Sequence, residues 1–120
     1  MAEILVAEDN PLNFELVRDI LEADGHAVSW AKDGEEAVDE AHRQPFDLVL
    51  LDLHMPRLDG LQVLEAIRSD EKLRLVKVVV VSADAMGGVA EVVLGAGADG
   101  YLTKPLEIHT LLAEVERQLA

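Results

Sequence analysis

The chain has 120 residues, half of them apolar and 3% aromatic, with a formal net charge of −14. That length suits one compact domain over 1–120 with an aliphatic core, and a surface so acidic repels phosphate backbones, so direct nucleic-acid binding is not expected. The absence of cysteine excludes disulfides, zinc–thiolate sites and thiol chemistry; no apolar run approaches the ~20 residues of a membrane span, and Met-Ala-Glu-Ile-Leu lacks a basic signal-peptide start, so a cytoplasmic location is expected.

Short β-rich runs alternate with helical patterns. The first run is Ile4–Ala7. Asn10-Pro11 then reads as an N-cap followed by proline in the first helical turn. In Pro11–Ala23, Leu12, Leu16, Val17 and Ile20 share a face at helical spacing, and Gly25 suits the C-terminal stop. Ala27–Trp30 is the second strand. Asp33-Gly-Glu-Glu36 resembles a capping box, and Ala37, Val38 and Ala41 form the stripe of the helix it opens. Leu48–Leu51 is the third strand, ending in Asp52; Asp59-Gly60 marks a turn. Leu61, Leu64 and Ile67 line the third helix, and Val76–Val81 is the fourth strand. The segment 85–96 is Gly-rich: Val89, Val92, Val93 and Ala96 form its core stripe, and Ala90 and Leu94 face outward. Gly87 and Gly88 each cost roughly 1 kcal/mol of helix stability relative to Ala. Gly100–Thr103 is the fifth strand, and Leu111, Leu112, Val115 and Leu119 stripe the last helix.

Continuously apolar strands are those buried on both faces of a parallel sheet. Five strands and five helices in alternation predict an α/β, doubly wound, flavodoxin-like parallel sheet in the order 2-1-3-4-5. In such sheets ligands bind at the carboxyl ends of the strands, beside the switch point. The first strand ends in Glu8-Asp9, the third in Asp52, the fourth in Ser82, and the fifth is followed by Lys104-Pro105. Three carboxylates crowded together cannot all ionise unaided. A hard divalent cation, Mg²⁺ or Mn²⁺, resolves this with oxygen ligands, Lys104 adds a compact positive charge, and Ser82 offers a hydroxyl. That set points to phosphoryl transfer onto Asp52 as a carboxylate nucleophile.

In order and spacing, AEDN, LLDLHMPRLDG, VVVSADA and GADGYLTKP resemble the receiver domain of two-component response regulators along essentially the whole chain. Within that family the chain is most similar to DivK-like single-domain regulators and to receivers of hybrid kinases. The resemblance implies that Asp52 accepts phosphate from a phosphohistidine on a sensor histidine kinase or histidine phosphotransfer protein. It implies Mg²⁺ held by Asp9, Asp52, the backbone carbonyl of His54 and, through water, Glu8. Lys104 would contact the phosphoryl group, with the Lys104-Pro105 bond cis. Ser82 and Tyr101 would move together and remodel the face of the fourth helix, fifth strand and fifth helix for a downstream protein partner. The domain would promote its own phosphorylation and dephosphorylation without being a turnover enzyme; no membrane partner is expected, and homodimerisation is left open.

His54 and Asp84 each lie two residues beyond a site residue. They are expected to meet over the site and restrict the water that hydrolyses the acyl phosphate. Two motif matches are set aside. Gly95-Ala-Gly-Ala-Asp-Gly100 fits G-x-G-x-x-G but follows a helix and opens a strand, the reverse of a dinucleotide fingerprint. Asp39-Glu-Ala-His42 lies within an amphipathic helix, and the chain has no phosphate-cradling G-x-x-x-x-G-K-[ST] loop. A Mg²⁺ phosphohydrolase generally carries a second acid where this chain has His54, and an FMN protein carries a hydroxyl- and glycine-rich cradle where this chain has Glu-Asp-Asn-Pro. A receiver that never takes phosphate conflicts with the full acid set and Lys104.

Overall fold

A computed structural model of the chain describes residues 2–55, 59–83 and 87–120. Five parallel strands, β1 (Glu3–Ala7), β2 (Ala27–Ala31), β3 (Leu48–Asp52), β4 (Lys77–Ser82) and β5 (Gly100–Thr103), form one sheet in the order 2-1-3-4-5. Helices α1 (Pro11–Ala23), α2 (Gly34–Arg43), α3 (Gly60–Ser69), α4 (Gly87–Gly95) and α5 (Ile108–Leu119) connect and follow them.

Because side chains alternate along a strand, each central strand feeds two cores. Leu5, Ala7, Val49, Leu51, Val78 and Val80 meet α2, α3 and α4 on one face. Ile4, Val6, Leu48, Leu50, Val79 and Val81 meet α1 and α5 on the other. β3 is buried along its whole length, which is what its unbroken apolar run predicts for a strand covered on both faces. Each fully buried Leu or Val on it contributes about 2 kcal/mol over an exposed position, so the strand that carries Asp52 is held on every side.

The helix starts follow local chemistry. Asn10 Oδ1 accepts the backbone N–H groups of Leu12 and Asn13 at 2.9 and 3.1 Å, satisfying donors that the first turn leaves orphaned. Asp33 accepts from the Glu36 N–H at 2.9 Å, but the Glu36 carboxylate reaches the Lys32 N–H at 3.0 Å instead of closing a box onto Asp33. A full capping box forms at α3, where Asp59 and Gln62 bond each other's backbone reciprocally. Asp59-Gly60 is therefore a helix start, where a turn was expected. Gly25 adopts φ 92° just beyond α1, a left-handed stop that glycine takes without strain.

Two helices are rotated from their expected faces. α1 buries Phe14, Val17 and Leu21, while Leu12 and Leu16 are 75% and 54% exposed. The cause is Phe14, which stacks on Trp30 of β2 with ring centroids 4.6 Å apart and planes 9° apart; this contact fixes the helix rotation. In α4 Val93 is buried, but Val92 faces solvent together with Leu94. A helix apolar nearly all round carries no periodic signal to select its buried side. No helix among the described residues is long and apolar enough to cross a membrane.

Candidate functional site

The strand register builds the site. Ala7 pairs with Leu51, which sets Glu8 beside Asp52, one step beyond the ladder. The Glu8 N–H continues the pairing onto the Ala31 carbonyl at 3.0 Å, and the Lys104 N–H onto the Ser82 carbonyl at 2.8 Å. The peptide bond after Lys104 is cis. Glu8, Asp9 and Asp52 each bring a carboxylate oxygen into one group whose members all lie within 4.8 Å of one another. Glu8 and Asp52 are buried, and Asp9 is exposed and opens the group to solvent.

Lys104 bridges the two buried acids. Its Nζ lies 3.0 Å from Glu8 Oε1 and 3.0 Å from Asp52 Oδ2. The remaining carboxylate oxygens accept backbone donors: Asp52 Oδ1 from the His54 N–H at 3.1 Å, and Glu8 Oε2 from the Asn10 N–H at 3.2 Å. Burial is the main force raising the Glu8 pKa, reinforced by the charge of Asp52 and opposed by the bonds from Lys104 and Asn10. Burial acts in the opposite sense on Lys104, but its bonds to Asp52 and Glu8 outweigh that and hold the ammonium above its ordinary pKa. Among the described residues Lys104 thus pairs with two of the three carboxyl groups, and Asp9 stands beside them. The donors are all hard oxygens, one of them solvent-facing, which is the set that a Mg²⁺- or Mn²⁺-sized cation takes and thiolate- or imidazole-seeking metals do not.

These groups line a cleft of about 390 Å³ together with Asn13, His54 and Ala83. His54 is exposed. Ser82 is fully buried at the end of β4, and its neighbour Ala83 rather than Ser82 itself borders the cleft. Tyr101 lies half-buried on β5 opposite Val80 and packs against the core beneath α2–α4. Asp84 lies outside the described residues, so its expected meeting with His54 does too.

Three supports were not foreseen. Trp30 Nε1–H donates to the Glu8 carbonyl at 2.7 Å, so the Phe14–Trp30 stack also braces the loop that carries Glu8 and Asp9. Its only sequence trace is one Trp at the end of an expected strand. Gly60 presses on the far side: a Cβ there would sit 2.5 Å from the Asp52 carbonyl oxygen and 2.6 Å from Leu53 Cα. The capping pattern Asp59-Gly-Leu-Gln62 was the signal that this glycine opens a helix. Asn13, in the first turn of α1, completes the cleft wall.

Comparison with known proteins agrees with this geometry. Residues 4–116 match the family described as the response regulator receiver domain. The polar-differentiation response regulator DivK of Brucella ovis is 34% identical over 116 residues, covering 97% of this chain and 94% of DivK. The receiver domain of the sensor histidine kinase PA1611 from Pseudomonas aeruginosa, solved with a magnesium ion coordinated in its active-site cleft, superposes with a TM-score of 0.91 at 36% identity, covering 98% of this chain and 97% of that one. The chemotaxis protein CheY4 of Vibrio cholerae superposes at 0.93 with 28% identity over 99% of both chains.

Proposed function

The chain belongs to the response regulator receiver domain family of two-component signalling, and from that premise we propose that Asp52 is its phosphoacceptor. An Asp52 carboxylate oxygen attacks the phosphorus of a phosphohistidine on a sensor histidine kinase or histidine phosphotransfer protein. The new bond is Asp52 O–P, the bond broken is histidine N–P, and the imidazole leaves with its electron pair. A carboxylate already ion-paired with Lys104 needs no general base. Mg²⁺ or Mn²⁺ held by Glu8, Asp9 and Asp52, with the His54 carbonyl, would offset charge on the transferring group. Lys104, which bridges Glu8 and Asp52 at 3.0 Å each, moves its charge onto the arriving phosphoryl oxygens while β3 keeps the nucleophile fixed.

The observation that carries this reading is the carboxylate group within 4.8 Å, centred on a buried acid at the end of the most enclosed strand. Ser82 and Tyr101 then couple phosphate to the face of α4, β5 and α5, where a downstream protein binds. That face has two populations, and phosphate shifts the balance. The domain signals and promotes only its own phosphorylation and dephosphorylation.

Incubation with acetyl phosphate and Mg²⁺ should add one phosphoryl group to the intact mass, and Asp52→Asn should take up none; labelling that survives in Asp52→Asn would refute the assignment. His54 borders the cleft and governs water access to the acyl phosphate. His54→Ala is expected to change the phosphorylated lifetime about threefold or more, while labelling persists. An unaltered lifetime would remove His54 from the mechanism.

A further inference from the structure

The cations of this acidic chain are unevenly placed. Of ten Lys and Arg residues, Lys72, Arg74 and Lys77 fall within one stretch that has no acid from 72 to 77. It comprises the end of the turn between α3 and β4 and the first residue of β4, at the amino ends of the strands and at the far end of the sheet from Asp52. All three side chains are exposed. None of them joins an ion pair among the described residues. At their centre stands Leu75, 82% exposed.

A single exposed leucine needs no explanation; this one is held outward. Its neighbours Leu73 and Val76 pack against the core. The Arg68 guanidinium Nη1 donates to the carbonyls on either side of Leu75, Arg74 at 3.0 Å and Val76 at 2.8 Å. Nη2 of the same group is fixed by Asp99 at 2.8 Å. The Lys72 N–H bonds Asp70 Oδ1 at 2.8 Å, the Arg74 N–H the Asp70 carbonyl at 2.9 Å, and the Val76 N–H the Leu73 carbonyl at 3.0 Å. Leu75 cannot turn inward without breaking this clamp. An apolar anchor on a backbone already held in place orders little more than its own side chain on binding.

We propose that the α3–β4 turn is a docking knob for an acidic protein surface with an apolar recess. Leu75 fills the recess as the anchor, and Lys72, Arg74 and Lys77 face the partner's carboxylates around it. A membrane or a nucleic acid fits less well. Either presents an extended polyanion to a chain of net charge −14, and three cations cannot screen the rest of the molecule from it. A protein surface meets the turn alone, within about 8 Å of effective charge range in physiological salt. The knob lies remote from the phosphoacceptor end, so a partner there and a phosphate donor can bind together.

The test places the photo-crosslinker p-benzoylphenylalanine at position 75 of the full chain in its own cells and maps the adduct by mass spectrometry. The expected result is a protein adduct at an Asp/Glu-rich segment. Its yield falls about tenfold or more with Lys72→Glu, Arg74→Glu and Lys77→Glu together, and returns when the mapped acids are changed to Lys. The neutral triple variant with Gln at the three positions should give an intermediate loss. Both triple variants should keep the parent's denaturation midpoint and acetyl phosphate labelling, which separates lost docking from lost folding or lost phosphoacceptance. No adduct, an adduct to lipid, nucleic acid or a second copy of this chain, or a protein adduct indifferent to all charge changes, would overturn the proposal.

Discussion

The two ends of the sheet handle charge in opposite ways. At the amino end, Arg68 uses four of its five N–H donors: it bonds the Gly97, Arg74 and Val76 carbonyls and the Asp99 carboxylate. Asp99 Oδ2 in turn accepts the Val78 N–H at 2.9 Å. The one positive charge faces one carboxylate and three carbonyls, so the network is close to balanced and acts as a strut. At the carboxyl end, Glu8, Asp9 and Asp52 crowd together, and among the described residues Lys104 pairs with Glu8 and Asp52. That end keeps unmatched negative charge in a partly buried cleft, which destabilises the fold unless a cation arrives. A balanced cluster stabilises the molecule, and an unbalanced one stores capacity to bind.

The contrast breaks most sharply at Arg68. Arg68→Met removes a guanidinium with four acceptors and should lower unfolding free energy by about 2 kcal/mol, discounted for partial exposure. Urea denaturation should show a lower midpoint at unchanged slope, while the surviving folded protein still takes phosphate.

Neutralising a charge at the other end should do the reverse. Asp9→Asn relieves repulsion and is expected to raise stability by about 0.5 kcal/mol in chelator. Divalent cation should stabilise the parent by about 1.4 kcal/mol at ten times its Kd, a gain the variant largely loses. Thermal melts with EDTA and with graded Mg²⁺ measure both. If Asp9→Asn melts lower in chelator and gains as much from Mg²⁺ as the parent, the carboxyl end is not the charge-frustrated one.

The smallest effect lies at the amino end, at the pair that ties α2 to the end of α3. His42 on α2 bonds Asp70 beyond α3 through Nε2 at 2.6 Å and the Val38 carbonyl through Nδ1 at 3.0 Å. Both partners accept, so the bonded ring is the doubly protonated one. The Asp70 bond, helped by that to Val38, raises the His42 pKa above 6.5, and the His42 bond lowers Asp70 below 3.8. The His42 contribution is complete below 6.5 and is lost as pH rises through its raised folded value; that of Asp70 is complete above 3.8 and is lost as pH falls through its lowered one. A slight fall in denaturation midpoint on raising the pH across the histidine range, absent in His42→Gln, is the expected signature.

Much of the site was readable because its elements are local. Leu48-Val-Leu-Leu51 announces a buried strand, and the acid at its end, with Glu8-Asp9 and Lys104-Pro105, announces the cleft once the strand order is inferred. The hidden parts depend on three-dimensional contact. Leu12 and Leu16 out-compete Phe14 in a count of apolar residues, yet the Trp30 ring decides which side of α1 faces inward. The close approach of Gly60 to the Asp52 carbonyl joins residues whose contact no local pattern encodes. Arg68 looks like any surface arginine until its turn and the Gly97 loop fold around it. Ser82 ends β4 and Tyr101 lies on β5, and the proposed coupling between them would be a property of two states rather than of one.

The central claim is chemical and positional: one carboxylate among three takes the phosphate. Borohydride reduces an acyl phosphate to the alcohol, so trapping the labelled protein and sequencing it by tandem mass spectrometry reads the position directly. The account predicts homoserine at position 52, with Glu8 and Asp9 unchanged. Reduction at Glu8 or Asp9, or label on a residue outside the cleft, would contradict it.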